Sequence, residues 1–105
     1  MNMNKEPKNI KIGFNNYDIV RSSGIYEYPD ELMGRISYSD EKIEIATKYT
    51  QDQRNATFLH EMFHAIFNKL DMENERDDEK LVNQLATELY LIIQNNPHIF
   101  KMANI

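Results

Sequence analysis

The sequence contains no cysteine among its 105 residues. Disulfides and metal sites built on thiolates are therefore excluded, and a metal ion could be held only by histidine, aspartate or glutamate side chains. A chain without cysteine also fits a reducing compartment, and we expect the protein to act in the cytoplasm.

Long apolar runs and an excess of basic residues are absent as well. The longest strongly apolar run, LYLII at 89–93, is too short to cross a bilayer, and the N-terminal MNMNKEPKNIKIG lacks the apolar segment of a signal peptide. The net charge of −5 argues against a protein that binds nucleic acid by neutralising phosphates. We therefore expect neither a membrane nor a nucleic acid as a direct partner.

The length and composition fit one globular domain that covers residues 1–105. Apolar residues make up 41% of the chain and charged residues 28%, which is ordinary for a folded protein. Residues 1–9 are polar, and we expect them to be frayed or disordered.

Alternating apolar residues in the first half predict short strands. Residues 10–14 alternate in this way, and GRISYSDEKIEIAT at 34–47 alternates on both sides of a polar turn, which predicts a β-hairpin. YDIV at 17–20 fits either a strand or the start of a helix. The segment 21–34 contains glycine and proline, and it is predicted to be a loop.

The second half is predicted to be helical. Thr50 and Gln53 form a capping-box pattern, and the helix that follows is expected to end near Leu70. An acidic connection, DMENERDD, leads to a second helix from about Asp77 to Asn95. These elements predict an α+β fold, in which a small sheet with a hairpin packs beside the first helix and a second helix completes the C-terminal half.

The first predicted helix carries the segment HEMFH at 60–64. His60 and His64 are four residues apart, so they share one helix face at about 5–6 Å between Cβ atoms. Their ring nitrogens can hold one zinc ion at about 2.0–2.1 Å. Glu61 points about 100° away from His60, and it can instead take a proton from a water on the metal, as the glutamate does in zinc peptidases.

The histidine pair has a plainer interpretation, as ordinary residues at the margin of an apolar face. On a helical wheel both histidines lie at the border of the apolar stripe, where a metal site would be rigidly supported yet open on one side. The apolar residues around them, by contrast, are predicted to be core and receive no chemical role: Phe58, Met62, Phe63 and Phe67.

A catalytic zinc ion takes three protein ligands and keeps one open position. Because His98 is the one histidine left, a carboxylate is the natural third ligand. Glu79 falls inside the apolar stripe of the second helix, where an unpaired carboxylate is costly to bury, although it could also serve the helix dipole. The pattern favours Glu79 and leaves Glu88, Glu75, Asp78 or no third ligand open.

The order of these segments resembles the ImmA/IrrE-type zinc metallopeptidases, especially their short phage and prophage forms. The resemblance covers about residues 17–100, through YDIV, GRISYSDEKIEIAT, TFLHEMFHAIF and DEKLVNQLATELYLIIQNNP. It implies a minimal zincin-like fold. In that family a glutamate shortly before a pattern like E-x-x-A-N-x-F-A-x-x-L is the third ligand. The segment EKLVNQLATEL is similar, with Val82 for alanine and Leu85 for phenylalanine, so the resemblance assigns this role to Glu79.

The resemblance also implies a function. We expect a zinc-dependent endopeptidase, with Zn²⁺ held by His60, His64 and Glu79 and with Glu61 as the general base. Some members of the family cleave a repressor that controls a mobile element or a stress response, so the expected partner is a regulatory protein in the cytoplasm of a phage host. The alternative is a protein-binding module on a zincin-like scaffold, without catalysis.

Two further elements could contribute to a peptidase site. Tyr38, Tyr49 and Tyr90 each carry a hydroxyl that could stabilise an oxyanion, although a tyrosine at the margin of a sheet or helix more often packs. The strand at 43–47 could pair with an extended substrate if its edge is free.

Overall fold

The computed structural model describes residues 6–101, which form a mixed four-stranded sheet, a two-stranded sheet and three helices. The elements are β1 (Asn9–Ile12), β2 (Asn15–Ser22), β3 (Ile25–Glu27), β4 (Asp30–Leu32), β5 (Gly34–Ser37), β6 (Lys42–Ala46), α1 (Gln51–Lys69), α2 (Glu73–Arg76) and α3 (Glu79–Asn95), followed by a 3-10 turn at Ile99–Lys101. The α+β class predicted from the sequence is confirmed. None of the helices described is both long enough and apolar enough to cross a bilayer.

The four-stranded sheet has the order β1-β2-β6-β5. β2 and β6 are parallel, and the other two pairs are antiparallel. The hairpin predicted at 34–47 is confirmed as β5 and β6, with Ile36 opposite Ile43. β6 is central and hydrogen-bonded on both sides, so the expectation that its edge could receive a substrate is wrong. Within residues 6–101, β5 is the edge strand on that side of the sheet.

The segment at 21–34 is more ordered than the sequence predicts. YDIV belongs to β2, and the predicted loop holds the antiparallel pair of β3 and β4, in which Ile25 faces Leu32. Ile25 is 2% exposed and roots this small hairpin in the core. Strands of three residues flanked by glycine and proline are too short for an alternation to be recognised, which explains the wrong prediction.

The ends of α1 follow from local chemistry. Thr50 Oγ1 accepts a hydrogen bond from the Gln53 backbone N–H at 3.2 Å, and Gln53 Oε1 accepts one from the Thr50 N–H at 3.0 Å, so the capping box is confirmed. At the other end, Leu70 caps the helix and Asp71 takes a left-handed conformation with φ of 55°. This residue turns the chain away from the helix axis.

The core lies between the sheet, α1 and α3. Its most deeply buried side chains come from all three layers, and they include Ile43, Ile45, Phe58, Leu59, Val82 and Ala86. Phe58 is therefore a core residue as predicted, and Met62 and Phe63 pack against the core while half-buried. Phe67 is half-buried beside Phe63, with 6.4 Å between the ring centroids. α1 thus contacts the sheet and α3 together, which fixes its orientation.

The N-terminal segment is held by a buried carboxylate. The Glu6 side chain is 1% exposed, and its oxygens accept hydrogen bonds from Arg54 at 3.0 Å and from Arg21 at 3.1 Å. The Lys8 carbonyl also accepts a hydrogen bond from the Ile19 N–H. The sequence predicts residues 1–9 to be frayed and does not disclose these contacts of residues 6–9, because the partners of Glu6 lie 15 and 48 positions away. Residues 1–5 lie outside the described part of the chain.

Replacing Glu6 with Gln should lower the free energy of unfolding by about 2 kcal/mol. Removal of one partner from a fully buried ion pair costs about 3–5 kcal/mol, and the effect here should be smaller because Arg21 is 45% exposed. Urea denaturation followed by circular dichroism measures the change. The matched control is Glu88→Gln on the exposed side of α3, and equal midpoints for the two variants would contradict a stabilising role for Glu6.

Candidate metal centre

The chain between α1 and α3 brings Glu79 back to the two histidines. α1 continues nine residues beyond His60, a distance of roughly 14 Å along the helix. The connection at 70–78 reverses this path and contains the short helix α2. Asp78 then caps α3, since its carboxylate accepts a hydrogen bond from the Leu81 N–H at 3.0 Å. Glu79 follows directly as the first residue of α3.

The donor atoms of His60, His64 and Glu79 converge. The two Nε2 atoms lie 3.2 Å apart, and the Glu79 oxygens lie 3.0 Å from each of them. Bonds of about 2.0–2.1 Å at tetrahedral angles place ligand atoms about 3.3–3.4 Å apart, which is close to the observed spacing. These three residues could therefore hold a metal ion.

His64 is oriented by the return segment. Its Nδ1–H donates a hydrogen bond to the Arg76 carbonyl at 2.7 Å, which leaves the Nε2 lone pair facing the other two donors. The Arg76 guanidinium is fixed in turn, because it donates to Asn68 at 2.9 Å and to Asp77 at 2.9 Å. The His64 side chain is 8% exposed. The surrounding packing and the hydrogen bond to Arg76 together hold the imidazole in one orientation.

His60 is favoured in its neutral form. Burial lowers the pKa of His60, and the neighbouring His64 lowers it further, while Glu79 acts in the opposite direction. An imidazole must be neutral to donate its lone pair to a metal. The burial that lowers this pKa therefore also suits His60 to ligation.

Glu79 is exposed, contrary to its expected position in a buried stripe. It continues the line of Val82 and Ala86 along α3, and both of those residues are buried. At the start of the helix, however, this line faces an open cavity rather than the core, and the Glu79 side chain is 70% exposed. Among residues 6–101, the other carboxylates considered as third ligands, Glu75, Asp78 and Glu88, are not part of the converging group.

Glu61 stands beside the three donors without joining them. It is 6% exposed and lines the same cavity as His60, His64 and Glu79. Burial raises the pKa of Glu61 to about 8, and the negative charge of Glu79 adds to this effect. A dication held by the three donors would act against both effects and favour the ionised carboxylate.

The four residues share one open cavity of about 610 Å³. Its further walls come from β5, from the segment after β5 and from the β3–β4 hairpin, which contributes Leu32 beside Met33. Tyr38 also lines it, whereas the other two tyrosines considered do not. The Tyr90 hydroxyl is hydrogen-bonded to Asp52 and Asn55, away from the cavity.

Gly34 is a residue of the site that the sequence places only at the boundary between the predicted loop and the predicted hairpin, with no role in the site. A Cβ atom at this position would lie 2.4 Å from Cγ2 of Thr57 and 3.0 Å from Oε2 of Glu61. β5 can therefore approach α1 closely only because position 34 has no side chain. The available signal was a glycine directly before an alternating segment, which often marks the close approach of another element.

The chain was compared with protein-family models, with curated proteins and with solved structures, and none of them matches. The resemblance to ImmA/IrrE-type metallopeptidases therefore stays a prediction.

Metal binding should depend on all three donors. We expect wild-type protein to take up one ion per chain from zinc solution, and His60→Ala or Glu79→Ala to weaken the affinity by more than about 100-fold, beyond the cost of losing a residue that merely orients a ligand. Elemental analysis after gel filtration measures the content. Glu88→Ala is the matched control, and equal zinc content in Glu79→Ala and wild type would contradict the three-residue centre.

Substitution of Gly34 by Ala should destabilise the protein by about 2 kcal/mol, since overpacking a tight contact costs about 1–3 kcal/mol. The additional change Thr57→Ser removes the clashing methyl group and keeps the hydroxyl that donates to the Gln53 carbonyl at 2.7 Å. Urea denaturation of both single variants and the double variant measures the coupling. Purely additive effects would contradict the contact between positions 34 and 57.

Proposed function

We propose that the protein is a zinc-dependent endopeptidase that hydrolyses a peptide bond in a protein substrate. The observation that carries this proposal is the buried carboxylate of Glu61 beside three converging donor atoms in one open cavity. A metal-binding group alone would suit a structural ion. An adjacent carboxylate that takes no part in the ligand set is what a hydrolytic reaction needs in addition.

Zinc is the ion that best fits the donor set. Two imidazoles and one carboxylate are the protein ligands of one class of catalytic zinc site, and they leave a fourth position open. Glu79 lies at the exposed mouth of the cavity, so a ligand can approach from that side. When bound, zinc supplies a Lewis acid that polarises the scissile carbonyl and makes water more acidic.

Glu61 acts as the general base. Its carboxylate takes a proton from the attacking water as the new carbon–oxygen bond forms, and it passes this proton to the leaving nitrogen as the carbon–nitrogen bond breaks. The packing of α1 against β5 at Gly34 holds the carboxylate at the cavity wall. His60, His64 and Glu79 would hold the ion, and they exchange no protons with the substrate.

A protein chain is the substrate class that the cavity suits. β5 lines the cavity and is an edge strand within residues 6–101, so an extended segment could add to β5 through backbone hydrogen bonds and cross the site without having to end there. The net charge of −5 is unfavourable for nucleic acid. The resemblance to ImmA/IrrE-type metallopeptidases supports a regulatory protein of the host or of a mobile element as the target, such as a repressor in the cytoplasm.

The second candidate function is protein binding without catalysis on the same scaffold. The observation that favours it is the β3–β4 hairpin, where Tyr28 is 100% exposed and Tyr26 is 66% exposed beside the cavity. Exposed tyrosines are common anchors in protein interfaces. In that case the ion would hold α1 and α3 together, and Glu61 would have no chemical role.

The substitution Glu61→Gln separates these two functions. In zinc-loaded protein we expect it to lower the cleavage rate of dye-labelled casein by at least about 100-fold, since positioned acid–base groups contribute about 10²–10⁴-fold. Zinc content and the unfolding midpoint should stay at wild-type values. Glu88→Gln is the matched control, and cleavage by Glu61→Gln at the wild-type rate would rule out this carboxylate as the base.

A further inference from the structure

Tyr38 occupies a wall of the cavity that no step of the proposed reaction uses. It directly follows β5, is half-buried and lines the cavity together with His60, Glu61 and His64. An aromatic side chain at the end of a strand commonly serves only to pack. The contacts of the Tyr38 ring and hydroxyl show whether this side chain is also placed to bind a ligand.

The ring of Tyr38 is fixed by the same residue that orients His64. The Arg76 guanidinium lies over the ring, with 5.6 Å from its central carbon to the ring centroid. The Arg76 carbonyl accepts the hydrogen bond from His64 Nδ1 at 2.7 Å. Arg76 is itself held by Asn68 and Asp77. The same well-held residue therefore contacts both the Tyr38 ring and the His64 imidazole.

The hydroxyl of Tyr38 is free to bind a ligand. Within residues 6–101 it forms no hydrogen bond with another protein group, whereas the buried hydroxyl of Tyr90 is engaged by Asp52, Asn55 and Gln94. A hydroxyl without a protein partner, carried by a half-buried side chain at the wall of this cavity, is available to donate to a bound molecule. Burial raises the pKa of Tyr38 to about 12, although the Arg76 charge acts in the opposite direction, so the phenol keeps its proton at neutral pH.

We propose that Tyr38 is a catalytic residue, whose hydroxyl donates a hydrogen bond to the carbonyl oxygen of the scissile peptide as this oxygen becomes negatively charged. The charge develops when water attacks the carbonyl carbon, and it disappears when the carbon–nitrogen bond breaks. Tyr38 keeps its own proton throughout, so Glu61 remains the group that transfers protons. This inference rests on the proposed function and names the oxyanion donor of the same site.

The variant Tyr38→Phe tests the hydroxyl alone, because phenylalanine keeps the ring under Arg76. In zinc-loaded protein acting on dye-labelled casein, we expect kcat to fall by about 100- to 1000-fold, the usual effect of losing one oxyanion donor. KM should stay within roughly two-fold, since the hydrogen bond strengthens only in the transition state. Zinc content and the unfolding midpoint should not change. Tyr49→Phe, at a half-buried tyrosine that does not line the cavity, is the matched control.

A binding measurement tests the same hydrogen bond without turnover. A dipeptide phosphonamidate presents a tetrahedral anionic oxygen where the oxyanion would form, and we expect Tyr38→Phe to bind it about 10- to 100-fold more weakly than wild type does. A dipeptide hydroxamate chelates a metal ion but has no such tetrahedral centre, so it should bind wild type and Tyr38→Phe equally. Isothermal titration calorimetry measures both affinities.

These experiments can distinguish a failure of the Tyr38 role from a failure of the proposed peptidase activity. The role of Tyr38 would be overturned if Tyr38→Phe cleaved casein at the wild-type rate. It would also be overturned if wild type and Tyr38→Phe bound the phosphonamidate with equal affinity, or if neither protein bound it. A wild type that cleaves nothing but binds the phosphonamidate through Tyr38 would contradict the peptidase activity and still support the hydroxyl as the donor. Wild-type cleavage together with an inactive, zinc-loaded and stable Tyr38→Phe supports both.

Discussion

The hydrogen bond from His64 to the Arg76 carbonyl is the interaction on which the site depends. A single helix can offer two donors on one face, but a third has to come from chain that has left the helix and returned. The bond joins the returning segment to α1 at 2.7 Å and fixes which nitrogen of His64 faces the other two donors. It also anchors the chain three residues before Glu79, so that Glu79 lies near the histidines. The acidic connection is therefore part of the site rather than a spacer between two helices.

A small domain can bury few polar groups, and here their distribution is uneven. Five polar or charged residues are buried in the described chain, and four of them lie on α1, namely Asn55, Thr57, Glu61 and His64. The fifth, Glu6, reaches the same helix through Arg54. α1 thus supplies much of the apolar core on one side and carries most of the costly buried polarity on the other. Such a helix is under strong constraint, because nearly every face is in use.

The sequence predicted those features that depend on neighbours in the chain. The capping box at Thr50, the extent of α1 and the β5–β6 hairpin all follow from residues a few positions apart, and all are confirmed. The central position of β6 depends on its parallel pairing with β2, more than 20 positions away, and no periodicity reveals such a pairing. For the third ligand, the wheel left several carboxylates open because it cannot trace the path of the chain at 70–78. The resemblance favoured Glu79, and this is the carboxylate that the structure brings to the histidines.

The parallel pairing of β2 with β6 has a consequence for the order in which the protein can be assembled. As the chain leaves the ribosome, β1 and β2 can form a hairpin, but the inner edge of β2 has no partner until Ala46 has emerged. Non-local pairings of this kind form late, because the intervening loop must first be closed. α1 can then cover the sheet, and Glu79 emerges only after that. A nascent chain therefore displays both histidines before Glu79, and the group that could hold a metal ion is complete only when the fold is nearly finished.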